Sequence, residues 1–128
     1  MIDKIRILVG VDGSPNSDMA LKEAVTIAKK FSGSIRIINV YDKGMNKKAE
    51  EIVNAAKQFC TDASVECEES SILGSNASRA LHDTAKNENF DLIVVGSRGL
   101  GNAASLLLGS VSRQVVTEAE CNVLVVKK

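Results

Sequence analysis

Apolar and polar positions along this chain fall into segments of two alternating kinds. Short, nearly unbroken aliphatic runs occupy Ile5 to Val11, Ser34 to Val40, Asp91 to Val95 and Asn122 to Val126. Runs of that length with little alternation mark strands covered on both faces, as in a parallel sheet. A further run from Val65 to Ser70 alternates weakly and is acidic, which fits an edge strand whose charges discourage pairing with other chains. Between the runs the apolar residues recur at helical spacing. Ser14 reads as an N-cap with Pro15 at the first helical position, and Ala20, Ala24, Ile27, Ala28 and Phe31 share one face until Gly33 ends the helix. A second helix is predicted from Ala49 to Cys60, with Ile52, Ala56 and Phe59 inward and Lys47, Lys48, Glu50, Glu51 and Lys57 solvated. A third carries Ala77, Leu81 and Ala85, closed by Asn87-Glu88-Asn89. The fourth runs through Val111, Val115 and Val116, with Ser110 as its expected N-cap.

Five strands alternating with four helices predict a three-layer, Rossmann-like α/β domain with a five-stranded parallel sheet in the order 3-2-1-4-5. At 128 residues the whole chain, 1–128, is expected to form one domain. The first forty residues make one β-α-β unit with a right-handed crossover. The polar stretch from Tyr41 to Lys48, which contains Gly44, is expected as a loop at the sheet's carboxyl edge and a candidate flap. Open sheets of this kind bind ligands beyond the carboxyl ends of their strands, where strand order reverses. Here that switch point lies between the first and fourth strands, so Asp12 should stand beside Gly96.

The chemistry converges on the same place. The fourth strand ends in Gly96-Ser97-Arg98-Gly99, and Gly109-Ser110 follows Gly99 after nine intervening residues. Glycines after a strand let a ligand approach the backbone, and a helix start offers unpaired amides at the positive end of its dipole. The hydroxyls of Ser110 and Ser112 add donors. Asp12 reads either as a turn cap, since Asp-Gly-Ser is ordinary turn chemistry, or as a ligand contact at a strand end. Arg98 reads equally as a solvated charge or a phosphate partner, and Leu106-Leu107-Leu108 as a packing turn under the loop. No Gly-Lys-Ser or Gly-Lys-Thr follows a glycine loop, and Ala104 stands where a Gly-x-Gly-x-x-Gly fingerprint begun at Gly99 needs its third glycine.

Composition narrows the partners. Sixteen acidic and sixteen basic residues balance, so neither nucleic acid nor an anionic membrane is expected to bind. Aromatic content of 3% leaves no stacking platform for single strands. His82, the only histidine, reads as surface, and no serine has a histidine nearby in sequence to act as a base. Cys60, Cys67 and Cys121 are odd in number without paired metal-ligand spacing, and read as reduced packing residues rather than redox sensors. The opening residues lack the pattern of a signal peptide and no apolar run reaches membrane length, so a cytoplasmic location is expected.

Gly-x-x-Gly, nine residues, then Gly-Ser resembles the nucleotide loop of the ATP-binding branch of the universal stress protein family. Ile7 to Ser14, Ile37 to Val40 and Cys121 to Val126 look like that family's opening strand with its aspartate, its second strand and its closing strand. Gly10 departs from the pattern, where members often carry proline, as does Ala103-Ala104, where a basic residue is common. The resemblance implies ATP or another adenine nucleotide, with Mg²⁺ bridging the phosphates, in a cleft formed by Gly10, Val11, Asp12, Val40, Gly96, Gly99, Gly109, Ser110, Val111 and Ser112. It assigns Asp12 to the adenosine end, the backbone of Val40 to the adenine edge, and Gly10 and Val11 to the floor. It implies a homodimer through Asn122 to Val126, a stress-response role, and a dimer surface changed by nucleotide for a downstream protein partner. Two other readings stay open: a slow ATP hydrolase or phosphotransferase, and a dimeric interaction protein with an empty cleft.

Overall fold

The computed structural model describes residues 4–74, 76–97 and 109–127. Their elements run β1 (Arg6–Gly10), α1 (Pro15–Phe31), β2 (Ser34–Tyr41), α2 (Asn46–Asp62), β3 (Glu66–Leu73), α3 (Ala77–Asn87), β4 (Leu92–Gly96), α4 (Ser110–Glu118) and β5 (Asn122–Val126). All strand pairs are parallel and the sheet order is β3-β2-β1-β4-β5, as expected. The aliphatic runs became strands because both faces are covered. Ile7, Val9, Ile35, Ile37 and Val94 pack under α1 and α2, while Leu8, Ile38, Ile93 and Val95 pack under α3 and α4.

Local chemistry fixes the helix ends. The Ser14 hydroxyl accepts from the Ser17 amide at 3.2 Å with Pro15 behind it, the N-terminal cap the sequence predicts. At the other end the left-handed residue is Ser32 (φ 53°), not Gly33. Gly33 is required by proximity instead, because a Cβ there would lie 2.5 Å from the Ile5 carbonyl oxygen. Asn76 caps α3 through the Arg79 amide at 3.0 Å.

Several expectations about helix faces change. Phe31, the last residue of α1 before the chain turns at Ser32, is 65% exposed. The inner stripe of α2 is Ala49, Val53, Ala56 and Cys60, which leaves Phe59 at its flank and 37% exposed. In α4 Ser112 and Val115 are buried while Val111 and Val116 are exposed. The loop expected from Tyr41 to Lys48 is shorter, because β2 continues through Tyr41 and α2 begins at Asn46. The tri-leucine at 106–108 lies outside the described residues.

Candidate functional site

The carboxyl ends of β1 and β4 diverge at the switch point, and a cleft of about 310 Å³ opens there. That is at the lower end of the volume of small-molecule sites. One wall is the β1–α1 turn, the opposite wall is the start of α4, and the floor is aliphatic.

The β1–α1 wall is a closed network of short bonds. Asp12 Oδ1 accepts from the Ser14 amide at 2.9 Å, and the Asp12 amide donates to Ser17 Oγ at 3.3 Å. Ser17 Oγ in turn donates to the Ser14 carbonyl at 3.1 Å. Asp12 therefore caps its turn with one carboxylate oxygen while its side chain also lines the cleft. Behind it, buried Asn39 of β2 donates from Nδ2 to the Val11 carbonyl at 2.7 Å and fixes the peptide that follows β1.

The floor is built on Gly10. A Cβ at this position would meet Leu81 Cδ1 at 3.2 Å and Val95 Cγ1 at 3.6 Å, so Leu81 from α3 reaches across into space the glycine leaves. Gly96 at the end of β4 is a different case. A Cβ there would lie 2.7 Å from the backbone carbon and oxygen of Asn16, so this glycine lets the first turn of α1 seat against β4.

The α4 wall is anchored by one carbonyl. Ser97 O accepts from the Gly109 amide at 2.7 Å and from the Ser112 hydroxyl at 2.9 Å. The Ser112 hydroxyl also lies 3.1 Å from Gly109 O. Its one proton is thus committed to the backbone, and the donor expected from Ser112 toward an anion is not free. Gly109, not the expected Ser110, occupies the N-cap with extended φ and ψ and offers no side chain, so among the described residues the first turn of α4 has no side-chain cap where it borders the cleft. The cleft-lining helices α1 and α3 both carry such caps. Unpaired first-turn amides concentrate positive potential where they open onto a cavity.

Gly10, Val11, Asp12, Val40, Gly96, Gly109, Ser110, Val111 and Ser112 all line this one cavity. Arg98 and Gly99 lie outside the described residues. Sequence reasoning missed Ser17, Ile38, Ala77, Leu81 and Val95. Ile38 was legible, since it shares a strand face with Val40 two residues on. Leu81 carried only the signal of a core position. His82 sits elsewhere, its Nδ1 3.3 Å from Asp83 Oδ1 and its Nε2 3.7 Å from Glu120 Oε2. Among the described residues no three His, Cys, Asp or Glu side chains gather to hold a metal, and no helix is long and apolar enough to cross a membrane.

The model of the Universal stress protein family matches residues 5–47 and 41–127. The chain belongs to the universal stress protein family. Among family relatives, a putative universal stress protein of Staphylococcus aureus strain USA300 is 35% identical, covering 99% of this chain and 86% of the relative. In fold the chain is similar to the hypothetical protein MJ0577, with a TM-score of 0.89 at 22% identity over 99% and 98% of the two chains. It is also similar to a universal stress protein solved in complex with cAMP, with a TM-score of 0.76 at 28% identity over 95% and 96%.

Proposed function

We propose that this universal stress protein is a nucleotide-binding regulatory module that takes ATP in the cleft between β1 and β4. The observation that carries the reading is the first turn of α4, which has no side-chain cap among the described residues and borders a cavity whose other helix starts are capped. Phosphate oxygens satisfy such amides without a cationic side chain. Ile38, Val40, Leu81 and Val95 supply an apolar bed for the base, and Asp12 has a second carboxylate oxygen for a ribose hydroxyl. The cAMP-bound relative at 28% identity supports an adenine nucleotide as the guest. Mg²⁺ would ride on the phosphates and water, as it does where few carboxylates are at hand.

Association through β5 belongs to the same proposal. β5 ends the sheet, and among the described residues no strand pairs with its outer edge, which leaves that edge for a two-fold copy of itself. Sedimentation giving a monomer across the micromolar range would remove this part.

Calorimetric titration with Mg-ATP, ADP and AMP tests the main claim. Sub-millimolar affinity that is lost in Gly109→Val is the expected result. No binding in the millimolar range, or full affinity in Gly109→Val, overturns it.

A further inference from the structure

The seam between α2 and the edge strand β3 holds two thiols with no part in the cleft. Three contacts fix how the elements lie against each other. The Val65 amide donates to the Cys60 carbonyl at 2.9 Å, which ties the last turns of α2 to the start of β3. One turn earlier on α2, Lys57 Nζ pairs with Glu69 Oε1 of β3 at 3.2 Å. Position 60 is thereby held at position 65 and position 57 at position 69, and Cys67 falls between these two ties. Cys60 is fully buried in the α1–α2 core and Cys67 is half-buried against that same core. Cys67 Sγ lies 3.5 Å from the Glu68 carbonyl oxygen, and the two neighbouring thiols shift each other, Cys60 toward a lower pKa and Cys67 toward a higher one. Cys121, the third thiol, packs on the opposite face of the sheet.

We propose that Cys60 and Cys67 are a redox-active pair that a hydroperoxide converts to an intramolecular disulfide, stapling α2 to β3. The two ties and the shared core hold Cys60 of α2 and Cys67 of β3 in one packed seam, so a disulfide would close between elements already lying against each other. Of the two, the half-buried sulfur of Cys67 is the one a peroxide reaches, so the reaction runs through its minor thiolate form while the fully buried Cys60 keeps its proton. The Cys67 thiolate attacks a peroxide oxygen, the O–O bond breaks, and the departing hydroxide takes a proton to leave as water, giving a sulfenic acid. Cys60 then loses its proton and its sulfur attacks the Cys67 sulfur. The S–S bond forms, the S–O bond breaks, and a second hydroxide is protonated to water. Two thiols and one hydrogen peroxide become one disulfide and two waters. An external thiol returns the pair to the reduced state by exchange.

The test is stoichiometric hydrogen peroxide added to the reduced, folded chain, followed by thiol counting, intact mass and peptide mapping. The expected result is loss of two of the three thiols, a mass lower by two hydrogens, a Cys60–Cys67 cross-linked peptide, and full reversal by dithiothreitol. Cys121→Ser should behave the same way. Cys67→Ser, at a half-buried edge-strand position that tolerates the isostere, should fold and show no loss of two hydrogens. Three thiols surviving peroxide, oxygen added without a cross-link, a bond through Cys121, or an unchanged response in Cys67→Ser would each overturn the proposal.

Discussion

Gly96 at the end of β4 and Asn16 in the first turn of α1 are packed so closely that a Cβ on the glycine would lie 2.7 Å from the asparagine's carbonyl carbon and oxygen. The neighbour is backbone, so nothing swings aside. Gly96→Ala must push α1 off β4 and should cost about 1–3 kcal/mol, the usual penalty of overpacking. Urea denaturation gives the number. Because the same contact sets one side of the cleft, ATP affinity should fall as well. An alanine variant of wild-type stability would show that α1 seats differently.

The uncapped end of α4 separates helix stability from ligand binding. Gly109 has the extended backbone that N-cap residues adopt, with φ −67° and ψ 167°. Gly109→Asp would place a carboxylate over the first-turn amides, which favours the helix by up to about 1 kcal/mol. The same carboxylate competes with phosphate for those amides. Affinity for ATP is expected to drop by about tenfold or more, equivalent to about 1.4 kcal/mol, with no loss of melting temperature.

Asn39 holds the Val11 carbonyl, and its own Oδ1 is buried without a partner among the described residues. Asn39→Ala leaves that carbonyl without its side-chain donor and should destabilise by about 1–3 kcal/mol. Asn39→Asp should be worse at neutral pH. Burial beside a carbonyl oxygen favours the protonated acid, so the folded-state pKa of the new Asp would lie above its unfolded value of about 3.9. The protonated acid donates to Val11 and its stabilisation is lost as pH rises through the folded pKa. Chemical denaturation at several pH values should therefore show the gap to wild type closing as pH falls toward about 4.

At the opposite end of the sheet, Arg36 reaches Glu88 at 2.8 Å and Glu68 at 3.3 Å, with its guanidinium 5.4 Å from the Phe90 ring centre. Arg6 covers the same ring at 4.3 Å and bonds the Glu88 carbonyl oxygen. A lysine cannot fork to both carboxylates and stack at once. Arg36→Lys should cost about 1 kcal/mol, part of it insensitive to salt because the Arg36 side chain is only 15% exposed. A loss abolished in molar salt would assign the whole effect to exposed ion pairing.

The sheet was legible because its interior strands have no solvent-facing positions to interrupt them, and the run Ile-Leu-Val of β1 has no competing helical reading. The helix faces were less so. Spacing gives the angle of a residue around a helix but not its position along the helix, and Phe31 has the right angle but stands at the very end of α1, where it is exposed. In α2 the bulkiest residues, Ile52 and Phe59, drew attention to the flank, while small Ala49 and Ala56 permit the close approach to the sheet. In the cleft, the glycines and Asp12 declared themselves by type and position. Leu81 and Ser17 did not, since a core leucine and a capping serine look the same whether or not a cavity lies beside them.

The bonds among Asp12, Ser14 and Ser17 are complete within the chain itself. A guest arriving at that side meets masonry rather than a hinge, and little ordering entropy is spent on the β1–α1 turn at the moment of contact. Any signal passed outward from an occupied cleft must therefore travel by the other bank, through the α4 side.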